Sequence, residues 1–100
     1  MIVAHPEKYQ ITAASGTIAQ TIFTGNGNIC YEVFVEAETS TTTFDVTLTD
    51  RFGFIVYERT TNTGKLSEMM QKLAYGNWTL TITNASVDEA FNVLLAFRET

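Results

Sequence analysis

The side chains able to do chemistry in this 100-residue sequence are one histidine, one cysteine and eleven carboxylates. His5 stands directly before Pro6 in an N-terminal arm, where neither a nucleophile nor a carboxylate is held beside it, so it reads as a surface histidine. Cys30 lies in the apolar run Ile29-Cys30-Tyr31-Glu32-Val33, and apolar surroundings raise a thiol's pKa rather than activate it. It reads as a buried structural cysteine. One histidine and one cysteine cannot close a zinc site, which takes about four ligands. Calcium needs only oxygen, and Asp50 with Asp45, or Asp88 with Glu89, are the available pairs. Neither pair has the spacing of an EF-hand loop, so solvated turn carboxylates are the simpler reading.

Two other chemistries fail on spacing and surface. A glycosidase pair needs a deep cleft that a domain of this size seldom builds. Gly25-Asn26-Gly27 lacks the lysine and the following helix of a phosphate loop. No enzymatic activity and no cofactor are expected.

Charge and composition narrow the partners. The net charge is -5, and the six basic residues Lys8, Arg51, Arg59, Lys65, Lys72 and Arg98 are dispersed. No basic stripe is offered to nucleic acid or to an anionic membrane. No apolar run reaches the roughly 18 residues of a spanning helix. The lone cysteine and the absence of an apolar leader after Met1 make a cytosolic origin the expectation.

Alternation then gives the elements. Phe44-Asp45-Val46-Thr47-Leu48-Thr49 and Trp78-Thr79-Leu80-Thr81-Ile82-Thr83 place large apolar residues on one face and mostly threonines on the other. Threonine is β-branched, so propensity and pattern agree on strand. Further strands are expected at 8–12, 17–24, 29–37, 54–59 and 90–98, joined by turns at 14–16, 25–28, 38–42, 50–53, 60–64, 74–77 and 84–89. Residues 65–73 are ambiguous, because Leu66, Met69, Met70 and Leu73 recur at helical spacing; the all-β surroundings tilt the reading to strand. In the last strand Phe91, Val93, Leu95 and Phe97 face one way and Leu94 and Ala96 the other, which places that strand inside a sheet rather than at its rim.

The expected fold is all-β: one antiparallel β-sandwich, jelly-roll-like, of about eight strands, with an extended N-terminal arm at 1–7 and the sandwich domain at 8–100. Phe44, Trp78, Phe91 and Phe97 fall in phase with core residues. Phe52, Phe54, Tyr57 and Tyr75 flank turns or glycines and are candidates for exposure, and with the arm residues Met1, Ile2 and Val3 they form the expected contact surface.

The run Phe44 to Asp50, Gly53-Phe54-Ile55-Val56-Tyr57, Gly64, Tyr75 to Asn84 and Phe91-Asn92-Val93-Leu94-Leu95 resembles the later strands of small jelly-roll modules. Such modules occur as appendages of secreted proteases and carbohydrate-binding proteins, and as small virion proteins of tailed bacteriophages. The resemblance covers about the last sixty residues and carries over no functional residue. A chain opening on its own Met1 with an arm favours the phage group, whose capsid decoration (cement) proteins tie subunits together by such arms. The resemblance implies a virion protein, assembled in the host cytoplasm, that forms homo-oligomers, contacts the major capsid protein and stabilises the shell by cross-linking subunits. The alternatives are a carbohydrate-binding module, with Trp78 or Tyr75 as sugar platform and a loop calcium, and a tail or baseplate component.

Overall fold

The computed structural model describes residues 4–22 and 26–99, with backbone alone for 4–8, 26 and 99. Eight strands follow one another without a helix among these residues: β1 (Ala4–Ala13), β2 (Ile18–Ile22), β3 (Asn26–Ala37), β4 (Thr43–Thr49), β5 (Ile55–Thr63), β6 (Lys65–Tyr75), β7 (Trp78–Thr83) and β8 (Glu89–Glu99). The antiparallel pairs are β1 with β8, β2 with β7, β3 with β6 and β4 with β5, as if one long hairpin had been rolled up. Two more antiparallel pairings, β3 with β8 and β4 with β7, join these into sheet A, ordered β1-β8-β3-β6, and sheet B, ordered β2-β7-β4-β5. This is a jelly-roll sandwich.

The core lies between the sheets. Period-2 alternation turns Val33, Val35, Phe91, Val93, Leu95 and Phe97 of sheet A toward Ile22, Phe44, Val46, Leu48, Leu80 and Ile82 of sheet B, all of them buried. Each large side chain removed from water in this way contributes about 1.5–3 kcal/mol. Two aromatic pairs bridge the layers edge to face, Phe44 with Phe91 at 5.0 Å between centroids and Trp78 with Phe97 at 6.1 Å. Pairs of this geometry add about 0.5–1.5 kcal/mol beyond their area.

Three sequence expectations change. The arm expected at 1–7 is not set apart from the sandwich where it is described: residues 4–7 are extended and already paired, from Ala4 opposite Arg98 onward, as the first half of β1. Pro6, which cannot donate to a ladder, sits opposite Ala96 in that strand, and β1 is an edge of sheet A, where proline is tolerated. Met1, Ile2 and Val3 lie outside the described residues. Of the turn expected at 25–28, Asn26, Gly27 and Asn28 are strand instead, since they belong to β3, with a bulge between Asn26 and Asn28.

The polar run 60–64 is strand rather than turn as far as Thr63. Asp45 explains it: its Oδ1 accepts a 2.7 Å hydrogen bond from Thr61 N–H and so fixes a bulge between β4 and β5. The reversal narrows to Gly64, whose N–H donates to Thr42 O and whose carbonyl accepts from Ala37 N–H, each 2.8 Å. Its φ is +72°, and a Cβ there would collide with the Ser40 carbonyl, so only glycine fits.

Residues 65–73 are strand. A register shift between Cys30 and Glu32 breaks the alternation of β6 partway along, and the apolar positions then imitate a helical repeat.

Candidate functional site

At one end of the sandwich, aromatic side chains project into solvent from a loop that its own hydrogen bonds make stiff. The β4–β5 connection opens with Asp50, a residue type favoured at turn starts because its carboxylate reaches neighbouring backbone N–H groups. Asp50 Oδ1 accepts from both Phe52 N–H and Phe54 N–H at 2.9 Å. The Asp50 N–H donates to Phe54 O at 2.8 Å and Gly53 N–H donates to Asp50 O at 3.0 Å, closing the loop. Held in this way, Phe52 and Phe54 are each 70% exposed. The Arg51 guanidinium lies 4.7 Å from the centroid of the Phe52 ring. The Arg51 stem rests on the β6–β7 turn, where a Cβ at Gly76, with φ +74°, would stand 2.9 Å from Arg51 Cδ.

Leu73 and Tyr75, from the end of β6, are about half exposed and share with Phe52 and Trp78 a cleft of about 150 Å³. Ile55 extends the apolar surface past Phe54 at 59% exposure. Five large apolar side chains thus gather at the end of the molecule where β1 begins and β8 finishes.

The expected contact residues divide. Phe52, Phe54 and Tyr75 are brought together and exposed. Tyr57 is not among them: at 8% exposure it belongs to the core, opposite Leu48. Its ring lies beneath Arg59, 5.1 Å from guanidinium to centroid, and Arg59 in turn pairs with Glu68 at 2.7 Å, tying the edge of sheet B to that of sheet A. The Tyr57 hydroxyl is buried with no partner in hydrogen-bonding geometry among the described residues. Burial first, and then the nearby Glu68 carboxylate, pushes its pKa up to about 12. Met1, Ile2 and Val3 are outside the described residues. Trp78, named from sequence as a sugar platform, is buried beneath the cleft and cannot serve as one.

A second surface feature escapes the sequence reading. On the outer face of sheet A, Phe34 of β3 stands directly opposite Leu94 of β8, and both are only partly covered. With Tyr9, Gln10, Asn92 and Val93 they line an open pocket of about 420 Å³. In an apolar run such as Val33-Phe34-Val35 every residue looks like core. The readable signal was Glu32 and Glu36, which share the face of Phe34 by alternation.

Of the groups considered for chemistry, Asp45, Asp50, Glu89 and Cys30 are occupied by structure, while the side chain of His5 lies outside the described residues. Asp45 and Asp50 do not meet: Asp45 Oδ1 accepts from Thr61 N–H, and its Oδ2 accepts a 2.7 Å bond from Asn84 Nδ2. The backbone bond from Thr61, then that from Asn84, holds its carboxyl below the usual 3.8. Glu89 Oε2 accepts from Thr39 N–H at 2.7 Å, clamping the β3–β4 loop. Cys30 is wholly buried, its Sγ 3.9 Å from Met70 Sδ, and desolvation pushes its thiol up to about 12. No three His, Cys, Asp or Glu side chains gather into a metal-binding group among the described residues.

No family model matches this sequence, and none of the curated proteins compared with it does. Among solved structures, the chain is similar to that of Bacillus endospore appendages, described as disulfide-linked pili, with a TM-score of 0.69 and 21% identity over 99% of this chain and 88% of that one. It is more loosely similar to PliG of Aeromonas hydrophila, a periplasmic inhibitor of g-type lysozyme, with a TM-score of 0.46 and 12% identity over 93% and 85% of the two chains. A chain of infectious bursal disease virus gives a TM-score of 0.43 and 13% identity over 94% of this chain and 31% of that one. Of these likenesses only the first is close enough to establish the fold, and it establishes a β-sandwich spanning nearly the whole of both chains.

Proposed function

We propose that this chain is a non-enzymatic structural subunit that assembles with further copies of itself, and that it serves as a decoration protein of a phage capsid. The observation that carries the reading is the exposed aromatic end. Asp50 spends both a side chain and a backbone on holding Phe52 and Phe54 out in water, an arrangement that folding alone does not need. Rigid exposed aromatics are the usual anchors of protein interfaces, because they bring large area with little ordering entropy.

The candidate catalytic groups support the same reading, since the cysteine is buried and the loop carboxylates hold backbone. The pilus likeness supports assembly from many copies, while the disulfide linkage of those pili does not fit this chain. Cys30 is the only cysteine in the sequence, and neither its burial nor its raised pKa allows ready cross-linking between folded copies. Assembly here is non-covalent.

Light scattering over a concentration series tests the proposal. Species at multiples of 11.1 kDa that grow with concentration, and cosedimentation of the protein with capsids, are expected. A strict monomer that binds saturably on a glycan array would replace it with the carbohydrate-binding reading.

A further inference from the structure

We infer that the aromatic tip of one copy docks into the outer-face pocket of sheet A on a second copy, with Phe52 and Phe54 inserting against Phe34 and Leu94. The inference rests on the reading of the chain as a self-assembling subunit and names the two surfaces that meet.

Position comes first. The tip belongs to sheet B and projects from one end of the sandwich, whereas the pocket opens on the side of sheet A turned away from sheet B. Packed sheets stand about 10 Å apart, and the pocket lies about five residues along β8 from the tip's end, roughly 17 Å at strand rise. A short closed loop cannot reach the pocket of its own chain. A contact between two different patches is heterologous, so it propagates from copy to copy and gives a ring or a filament according to the rotation between neighbours.

Size and charge agree. The pocket's volume of about 420 Å³ falls in the range of about 300–1,000 Å³ that receives compact apolar groups, enough for a pair of phenyl rings. At their observed exposures the five apolar side chains of the tip region present on the order of 500 Å². With a polar rim this approaches the roughly 800 Å² per partner of a stable interface. The tip carries Arg51 over Phe52, while the receiving face carries Glu32 and Glu36 two residues either side of Phe34, with Lys65 opposite Glu36 on the side away from the pocket. Neither glutamate has an ion-pair partner among the described residues. Docking places a cation stacked on an aromatic beside two carboxylates flanking an aromatic.

A mixing experiment tests this, read by sedimentation velocity on the full chain with circular dichroism to confirm folding. Phe52→Ser/Phe54→Ser removes the tip and leaves the pocket; Phe34→Asp spoils the pocket and leaves the tip. Each variant alone is expected to be monomeric, its dissociation constant raised at least about thirtyfold. Mixed one to one they are expected to form dimers and nothing larger, because one tip and one pocket remain to match. Arg51→Glu and Glu36→Arg, both at exposed positions, are each expected to weaken association about threefold to tenfold and to restore it when combined.

A mixture that stays monomeric, or a Phe34→Asp variant that associates like the wild type, overturns the docking. A Phe52→Ser/Phe54→Ser variant that assembles as the wild type does also overturns it while leaving the structural-subunit reading intact. A monomeric wild type overturns both, and tip-dependent binding of that monomer on a glycan array assigns the tip to sugar instead.

Discussion

The outer faces of the two sheets are built on the same alternation and carry opposite chemistry. On sheet B, Thr47 stands opposite Thr81 and Thr49 opposite Thr79, with Thr21 continuing the row on the far side of β7. On sheet A the equivalent positions hold Leu94 opposite Phe34 and, one step along, Ala96 opposite Glu32, with Ala96 only 4% exposed. Threonine satisfies a strand with its branched carbon and water with its hydroxyl, so the face of sheet B suits solvent. Phenylalanine and leucine at the centre of an outward face gain nothing from solvent. Because both sheets fill the core equally well with their inner faces, the difference is not a demand of folding. On the docking proposed above, it is sheet A that receives the second copy.

The largest effect expected from this contrast separates inside from outside within sheet A. Phe91→Ala removes one partner of the Phe44 ring pair and opens a cavity between the sheets, which is expected to lower the unfolding free energy by about 3–5 kcal/mol. Phe34→Ala, on the other face of the same sheet, is expected to cost about 1 kcal/mol in the monomer, as a half-covered side chain should. Urea unfolding at concentrations where the chain is monomeric measures both. Equal losses would mean that the outer face is a second core and would dissolve the contrast.

How much of this was legible follows the same division. Inner faces announce themselves: the alternations at 43–49 and 78–83 reappear as β4 and β7 with those bounds, and the two-faced apolar pattern of 90–98 reappears as β8 in the interior of sheet A. Bulges hide the rest, because one added residue shifts the phase of everything after it. The shift near Cys30 disguised β6, the one fixed by Asp45 disguised the end of β5, and another between Leu48 and Thr49 exposes Ile55 while burying Tyr57. At the tip, Phe52, Phe54 and Tyr75 were readable from the turn residues around them. The pocket was only half readable: alternation turned Leu94 to the outer face, but Phe34 sits between Val33 and Val35 in a run apolar enough for a core, and only Glu32 and Glu36 on either side give its face away.

Smaller effects sharpen the contrast at its two polar anchors. Asp50→Ala leaves the N–H groups of Phe52 and Phe54 to water, which is expected to cost about 1 kcal/mol of stability and to loosen the tip. Its association constant, measured by sedimentation, is expected to fall further than its stability, since disordered aromatics must be ordered again on binding. An unchanged association constant would show that the loop's stiffness plays no part.

Asp45 anchors the face of sheet B, and its hydrogen bonds favour the ionised form. Its folded-state pKa lies below the ordinary 3.8, so its contribution is present above that value and disappears as pH falls through the folded-state pKa. The deficit in melting temperature of Asp45→Ala against wild type is therefore expected to hold from neutral pH to about 5 and to shrink below 4. A deficit constant down to pH 2 would mean that the hydrogen bonds to Thr61 and Asn84 do not depend on charge.

The smallest expected effect is the most telling about the faces themselves. Thr47→Val/Thr81→Val converts a directly opposed pair on sheet B into the apolar kind of pair found on sheet A, while keeping the branched carbon that suits a strand. Stability is expected to change by no more than about 0.5 kcal/mol, because both positions are partly solvated and valine packs across a strand pair as well as threonine does. Association through the tip is expected not to change at all, since an apolar pair without a pocket gives Phe52 and Phe54 nowhere to insert. If the double variant instead binds its own kind more tightly, then any apolar sheet face will receive the tip. In that case it is the threonines of sheet B, rather than the pocket of sheet A, that set where one copy meets the next.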